Sequence, residues 1–424
     1  MQRALLLRGL SARRFACGGA RALSSSPVAF SNSFFLHNTQ WLPPGYENTK
    51  FRPPSLQRNV HPAITPSSPP LSSFKELEAL TPKRLLKVYS QLAKSRLTVL
   101  VMLTSMSAVA LSPLPATVPV LLSTAVGTAL CSASANTLNQ LQEVPFDAQM
   151  ARTRTRPLVR RAITPLHASG FALATGIAGP ALLWYMVNPA TAILGASNIL
   201  LYAGVYTWMK RKSIWNTWVG SVVGALPPLM GWTACGGKLL PSADYPIQMF
   251  VPSFLSDSTV PLDLSLIDNP LSPFALFMLL YSWQFPHFNA LSYLVRDCYA
   301  QAGYTMLSVL NPAKNALVSL RHAALLIPIC SILFPLSGLT TWAFAATSLV
   351  PNLICLRAAW RFWKYGGEKH ARSVFQHSLW YLPVVMGLMM VHKQGMDWLQ
   401  WLGIVSGAQE EKEKVLSVTD KEST

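Results

Sequence analysis

The stretch Asn139-Gln140-Leu141-Gln142-Glu143-Val144-Pro145-Phe146-Asp147, with Arg152-Thr153-Arg154-Thr155-Arg156-Pro157 behind it, closes an apolar run that begins near residue 117. Desolvating a carboxylate beside a membrane core costs several kcal/mol unless it is paired or holds a cation, so acids placed here demand a partner. Asn139, Glu143 and Asp147 recur every four residues and would share one face of a helix, a turn apart. Oxygen ligands of this kind, completed by waters and phosphate oxygens, suit Mg²⁺, and arginine forks grip pyrophosphate. Pro145 cannot donate back to Leu141 and its ring clashes there, which predicts a kink or an end of the helix between the two acids. A juxtamembrane ion-pair cluster of Glu143 and Asp147 with the arginines is the other reading of the same residues.

Working outward, 51% of the chain is hydrophobic and only 12% charged, and the mean hydropathy is positive, which excludes an ordinary soluble globule. Apolar runs of roughly 18 to 25 residues, the length that crosses about 30 Å of hydrocarbon, lie near 95–112, 117–141, 165–187, 190–208, 215–236, 271–294, 316–336, 340–361 and 373–393. These nine runs predict an all-α, polytopic membrane protein. Charge placement supports the count. The segment before the first run and the connections after runs 2, 4, 6 and 8 hold nearly all the cations, among them Lys94, Arg96, Arg152, Arg156, Arg160, Lys210, Arg296 and Arg372. Connections 1–2, 3–4 and 7–8 carry no charge, and connection 5–6 has Lys238 against Asp244, Asp257, Asp263 and Asp268. Such alternation is the positive-inside pattern. The excess of 35 basic over 17 acidic residues is therefore a topology signal, and no nucleic-acid partner is expected.

Residues 1–35 are rich in Arg, Ser and Ala without an acid, as in a mitochondrial transit peptide, and the basic side is then expected to face the matrix. Residues 36–82 read as a disordered approach, 83–395 as the membrane domain with a long loop at 238–270, and 396–424 as a solvated tail. The six cysteines show no CxxC and no paired spacing, so reduced, individually buried thiols are expected.

Between Lys83 and Arg372 the basic side offers four acids: Glu143, Asp147, Asp297 and Glu368. Glu368 sits in a Lys/Gly connection of solvated character. Asp297 follows Tyr281-Ser282-Trp283-Gln284-Phe285-Pro286-His287-Phe288 at the end of the sixth run, where it could face Glu143 and Asp147 across a pyrophosphate or form a surface pair with Arg296.

These residues carry a resemblance. The run from Asn139 to Arg160, the segment Asn216-Thr217-Trp218-Val219-Gly220 with Gly224-Ala225-Leu226-Pro227-Pro228-Leu229-Met230-Gly231-Trp232, and Trp283-Gln284-Phe285-Pro286-His287 together resemble the UbiA-type membrane prenyltransferases, in particular their mitochondrial haem-farnesylating branch. The similarity spans about residues 85–395. It implies a nine-helix UbiA-type bundle in the mitochondrial inner membrane, farnesyl diphosphate as donor, a vinyl group of haem B as acceptor, haem O as product, Mg²⁺ on the diphosphate, and the enzyme of the haem A synthase step as a partner. On that likeness Asn139, Glu143, Asp147 and Asp297 are the metal and catalytic positions. Lys94, Arg96, Arg152 and Arg156 would hold diphosphate oxygens. His287, Arg160 and Lys210 would meet haem, although a lone His in an aromatic helix is more commonly structural, and Arg160 and Lys210 suit either anionic substrate. The pattern departs where Asp297 is followed by Cys298 instead of a second acid, and connection 5–6 is longer than the family's. A quinone-pathway aromatic prenyltransferase, a non-catalytic haem-binding assembly protein and a multi-helix carrier are the competing readings; the carrier would place its charges at mid-depth, not at one face.

Overall fold

Backbone groups inside a bilayer must be satisfied within their own segment, so a chain of this composition has helices as its only open-chain solution. The computed structural model describes residues 81–243, 245–252 and 268–396. The expected transit peptide, the approach up to residue 80 and the tail beyond Met396 lie outside those residues. The regular structure described is helical, apart from an isolated antiparallel bridge between Thr340 and Lys393.

Helices α1 (Pro82–Leu92) and α2 (Ser95–Leu111) precede the long α3 (Val118–Asp147) and α4 (Pro165–Met186). Helix α5 (Pro189–Leu200) passes through a π-helical turn, Leu201–Tyr206, into α6 (Thr207–Met209). Then come α7 (Asn216–Ala234), α8 (Leu271–Leu294) and the short α9 (Arg296–Gln301) and α10 (Leu307–Leu310). Helix α11 (Pro312–Pro328) continues through a second π turn, Ile329–Leu333, into α12 (Phe334–Leu336), and α13 (Ala343–Tyr365) and α14 (Gly367–Val391) complete the bundle.

The starts are written in the sequence. Thr-Pro or Asn-Pro opens α1, α4, α5 and α11, with proline at a position whose amide needs no partner. In each the preceding side chain caps the helix: Thr81 Oγ1 accepts from the Arg84 amide, Thr164 Oγ1 from His167, Asn188 Oδ1 from Thr191 and Asn311 Oδ1 from Lys314.

Among the described residues six helical stretches are long and apolar enough to cross a membrane, or seven if α1 and α2, bent by 57° at their break, count as one. The nine expected spans are thus six or seven by length and hydropathy. Helices α7 and α8 occupy the places of spans five and six without meeting that measure. Their polar residues face protein: Asn216, Thr217 and Ser221 on α7, and Ser282, Asn289 and Ser292 on α8, are buried. Large apolar side chains such as Leu100, Leu122, Leu173, Tyr185 and Val350 instead point outward, as lipid-facing groups do.

Two of the apolar clusters tie most of the long helices together. One joins α2, α7, α8, α11, α13 and α14 around Trp232, Leu276, Phe334, Phe344 and Tyr381. The other joins α3, α4, α5 and α7 around Cys131, Leu183 and Met230. Cys131, Cys235, Cys330 and Cys355 are free thiols, as expected, whereas Cys298 is disulfide-bonded. In the described part of the long loop, Phe250 is buried, its amide bonds to Leu336 O at 3.0 Å, and its carbonyl accepts from Trp342 Nε1 at 3.1 Å, so this part packs on the bundle.

Candidate functional site

At about 1.5 Å per residue the 30-residue α3 is about 45 Å long, which exceeds the hydrocarbon thickness. Its last two turns therefore have room for polar groups beyond the apolar run. Helix α3 carries on through Pro145 to Asp147, so the helix does not stop between the acids. A proline this close to the C-terminus removes a single ladder bond, and the expected common face survives: Asn139, Glu143 and Asp147 are 1%, 5% and 1% exposed.

Each of these side chains meets a group from another element. Lys210, just after α6, donates from Nζ to Glu143 Oε1 at 2.7 Å. Arg156 donates to Asp147 Oδ2 and lies 3.6 Å from Glu143 Oε2. Asn139 accepts from Lys94 Nζ at 3.1 Å and donates to Thr207 Oγ1 at 3.0 Å, which makes it an orienter of its neighbours. Burial opposes the charges on Lys210 and Arg156, but Glu143 beside Lys210, and Asp147 with Glu143 beside Arg156, outweigh it and hold both cations above their ordinary pKa values. Asp147 Oδ1 is buried without a hydrogen-bond partner.

Local backbone explains the aim of these groups. Lys94 sits at the break between α1 and α2 with φ 49, a left-handed conformation uncommon for a residue with a Cβ. Such outliers concentrate at functional sites. The π turn after α5 is closed by Thr207 Oγ1 donating to Tyr202 O at 2.8 Å, and it delivers Tyr202, Thr207 and, one turn on, Lys210. Lys94, Gln140, Arg152, Thr153 and Arg156 line a cavity of ≈ 350 Å³. Arg152 Nη2 donates to Tyr299 Oη at 3.4 Å.

The remaining expected positions fall elsewhere. Asp297 is 75% exposed in its side chain and pairs with Arg296 at 3.7 Å, the surface pair considered as its alternative. Arg96 is exposed on the first turn of α2, and Arg160 donates to Gln91 Oε1 at 2.7 Å. Lys210, expected at haem, is in the carboxylate cluster. His287 bonds through Nδ1 to Ser378 Oγ of α14 at 2.9 Å and stacks on Trp283 at 4.9 Å. Tyr202, Thr207, Tyr299 and Tyr304 were not anticipated as site residues. The phenol of Tyr304 is buried, with its pKa raised by burial and by Glu143 and Asp147 alongside. Among the described residues no group of three or more His, Cys, Asp or Glu side chains could hold a metal ion, so Glu143 and Asp147 form a pair without a third protein acid.

A carboxylate pair held by cations at the end of a long apolar helix, with Arg156 and Lys94 shared between the pair and a neighbouring cavity, has charge suited to a phosphorylated group. The model of the UbiA prenyltransferase family matches residues 99–380. The chain belongs to that family. This UbiA chain is 44% identical over 344 residues to a Yarrowia lipolytica protein named protoheme IX farnesyltransferase, mitochondrial, covering 78% of this chain and 66% of that protein. A Neurospora crassa protein of the same name is 42% identical over 346 residues, 78% and 65% of the two chains, and one from Candida glabrata 39% over 373 residues, 82% and 75%. The UbiA chain thus spans just under two thirds of the length of the first two of these relatives. Among solved structures, one concerned with digeranylgeranylglyceryl phosphate synthase superposes with TM-score 0.56 at 15% identity, over 73% of this chain and 98% of that one. A UbiA homologue from Aeropyrum pernix gives 0.52 at 16%, over 70% and 97%. At such identities these show a shared UbiA fold.

Proposed function

We propose that this chain transfers the farnesyl group of farnesyl diphosphate to a vinyl group of haem B, giving haem O, in the mitochondrial inner membrane with its site on the matrix side. The observation that carries the proposal is the buried pair Glu143 and Asp147 with Lys210, Arg156 and, through Asn139, Lys94, of which Arg156 and Lys94 also line a cavity. The choice of haem and farnesyl diphosphate rests on the names of the relatives and on the Trp283-Gln284-Phe285-Pro286-His287 segment of α8. A nine-span arrangement is part of the proposal, with α7 and α8 as spans five and six.

In the reaction the allylic C–O bond of the donor breaks and diphosphate leaves with the electron pair. The vinyl carbon supplies the electrons of the new C–C bond, and water captures the resulting cation and loses a proton, so haem B, farnesyl diphosphate and water give haem O and diphosphate. Arg152, Arg156 and Lys94 line the cavity where the diphosphate oxygens would lie, and their charge-assisted hydrogen bonds would hold it. Apolar bundle walls would keep stray water from the allylic cation. The donor set fits Mg²⁺: Glu143 and Asp147 offer hard oxygens, Asp147 Oδ1 is an orphaned carboxylate oxygen, and Mg²⁺ takes one or two protein carboxylates together with substrate phosphates. Bound there, Mg²⁺ would neutralise charge on the departing diphosphate. Trp283 and His287 are proposed as part of the porphyrin wall.

Purified protein incubated with haem B, farnesyl diphosphate and Mg²⁺ is expected to yield haem O, detected by chromatography and mass. Prenylation of an aromatic quinone precursor instead, with no haem O, would overturn the acceptor assignment.

A further inference from the structure

The segment formed by helix α9, the turn after it and α10 includes Asp297, whose side chain is exposed to solvent. What this segment brings to the site is two phenols. Tyr299 Oη accepts from Arg152, and the ring of Tyr299 meets that of Tyr304 edge-on at 5.7 Å and 87°. Gly303, with φ 71, reverses the chain after α9 in a conformation that a side chain disfavours. The next residues are fastened to Lys210: the Thr305 amide donates to Lys210 O at 2.9 Å and Thr305 Oγ1 to the same oxygen at 3.1 Å. Asn216 Nδ2 donates to Thr305 O at 3.2 Å. The backbone that carries Tyr304 is therefore tied to the residue whose ammonium holds Glu143.

Tyr304 is 4% exposed, and its ring also meets Phe146, on the last turn of α3, at 5.7 Å. Glu143 and Asp147 lie near enough to raise the pKa of its hydroxyl, which has no hydrogen-bond partner of good geometry, an uncommon state for a buried donor. Leaving such a group unmade is costly, and its location beside a carboxylate indicates a bond completed in another state. Lys210 and Arg156 are the donors that Glu143 and Asp147 have here. An arriving diphosphate competes for those cations, whereas a neutral phenol stays with the carboxylate.

We infer that Tyr304 is a positioning residue of the diphosphate site, whose hydroxyl donates to the Glu143 carboxylate and orients it toward the cation that accompanies the diphosphate. The inference rests on the proposed function only in assuming an allylic diphosphate with a divalent cation, and it is independent of the acceptor. Outer hydrogen bonds of this kind are worth about 10- to 100-fold in metal affinity.

The test is Tyr304→Phe, which keeps the ring between Phe146 and Tyr299 and removes the hydroxyl alone. Binding of the unreactive farnesyl thiodiphosphate is titrated against Mg²⁺ in detergent, with no haem present. The variant is expected to need about tenfold more Mg²⁺ for half-maximal analogue binding, with wild-type affinity restored at saturating Mg²⁺. Its ligand-free thermal midpoint should equal or exceed that of the wild type, because an unsatisfied buried hydroxyl has been removed. An unchanged Mg²⁺ requirement, a loss of binding that saturating Mg²⁺ does not restore, or a lowered ligand-free midpoint would each overturn the inference. If the wild type binds the analogue but forms no haem O, the acceptor assignment falls and the Tyr304 result stands. Failure of the wild type to bind the analogue overturns both.

Discussion

Glu143 is held by a cation on each of its oxygens, Lys210 at 2.7 Å and Arg156 at 3.6 Å. Replacing it by Gln keeps a carbonyl oxygen for Lys210 and removes the charge. Glu143→Gln is therefore expected to insert and fold like the wild type, judged by size-exclusion in detergent, while haem O formation falls at least about a hundredfold, the scale of losing one electrostatic stabiliser. Wild-type turnover at limiting Mg²⁺ would remove Glu143 from the site. The acids themselves were legible, since the four-residue spacing of Asn139, Glu143 and Asp147 fixes a shared face whatever surrounds it. Their partners were not. Lys94 lies 45 residues from Asn139 and Lys210 lies 67 from Glu143, and no local pattern says which distant cation reaches which acid. Asp297 looked equivalent to the others in sequence because solvent exposure has no local signature in a helix end rich in both charges and aromatics.

Helix interfaces in a membrane are set by close approach of backbones, and α2 crosses α7 at Gly231. A Cβ built there would lie 2.0 Å from Ser105 O, a backbone atom that cannot rotate away. Gly231→Ala is expected to cost about 1–3 kcal/mol by overpacking, seen as a lowered midpoint in thermal unfolding in detergent. Gly170 on α4 has nothing within 4 Å of such a Cβ, and Gly170→Ala should be neutral or stabilising by up to about 1 kcal/mol through helix propensity. Equal midpoints for the two variants would refute this reading of the crossing. Helix starts were readable from Thr-Pro and Asn-Pro pairs, since capping is local chemistry. The break at Lys94 and the π turn at Leu201–Tyr206 were not readable. Both are held by tertiary bonds, Lys94 Nζ to Asn139 and Asn139 to Thr207, which override the helical preference of the segments that contain them.

Across the whole molecule, the alternation of basic and uncharged connections predicts which end of each helix faces which compartment. Ser242 after α7 and Glu368 at the start of α14 are both exposed, and three proposed spans separate them. In mitochondria stripped of their outer membrane, Ser242→Cys should react with an impermeant maleimide at once and Glu368→Cys only after permeabilisation. The same behaviour at both positions would overturn the nine-span arrangement. Hydropathy located all the long helices but could not rank α7 and α8, whose polar residues are spent on protein contacts and depress the very average that signals a span. The length of α3 has one more consequence. A helix about 45 Å long in a film of about 30 Å places the acids near the water boundary while its apolar turns remain in oil. In the proposed reaction the two products would then part at right angles: diphosphate would depart along the membrane normal into the aqueous phase, and the newly lipophilic porphyrin would leave sideways, in the plane, without either having to cross the medium that suits the other.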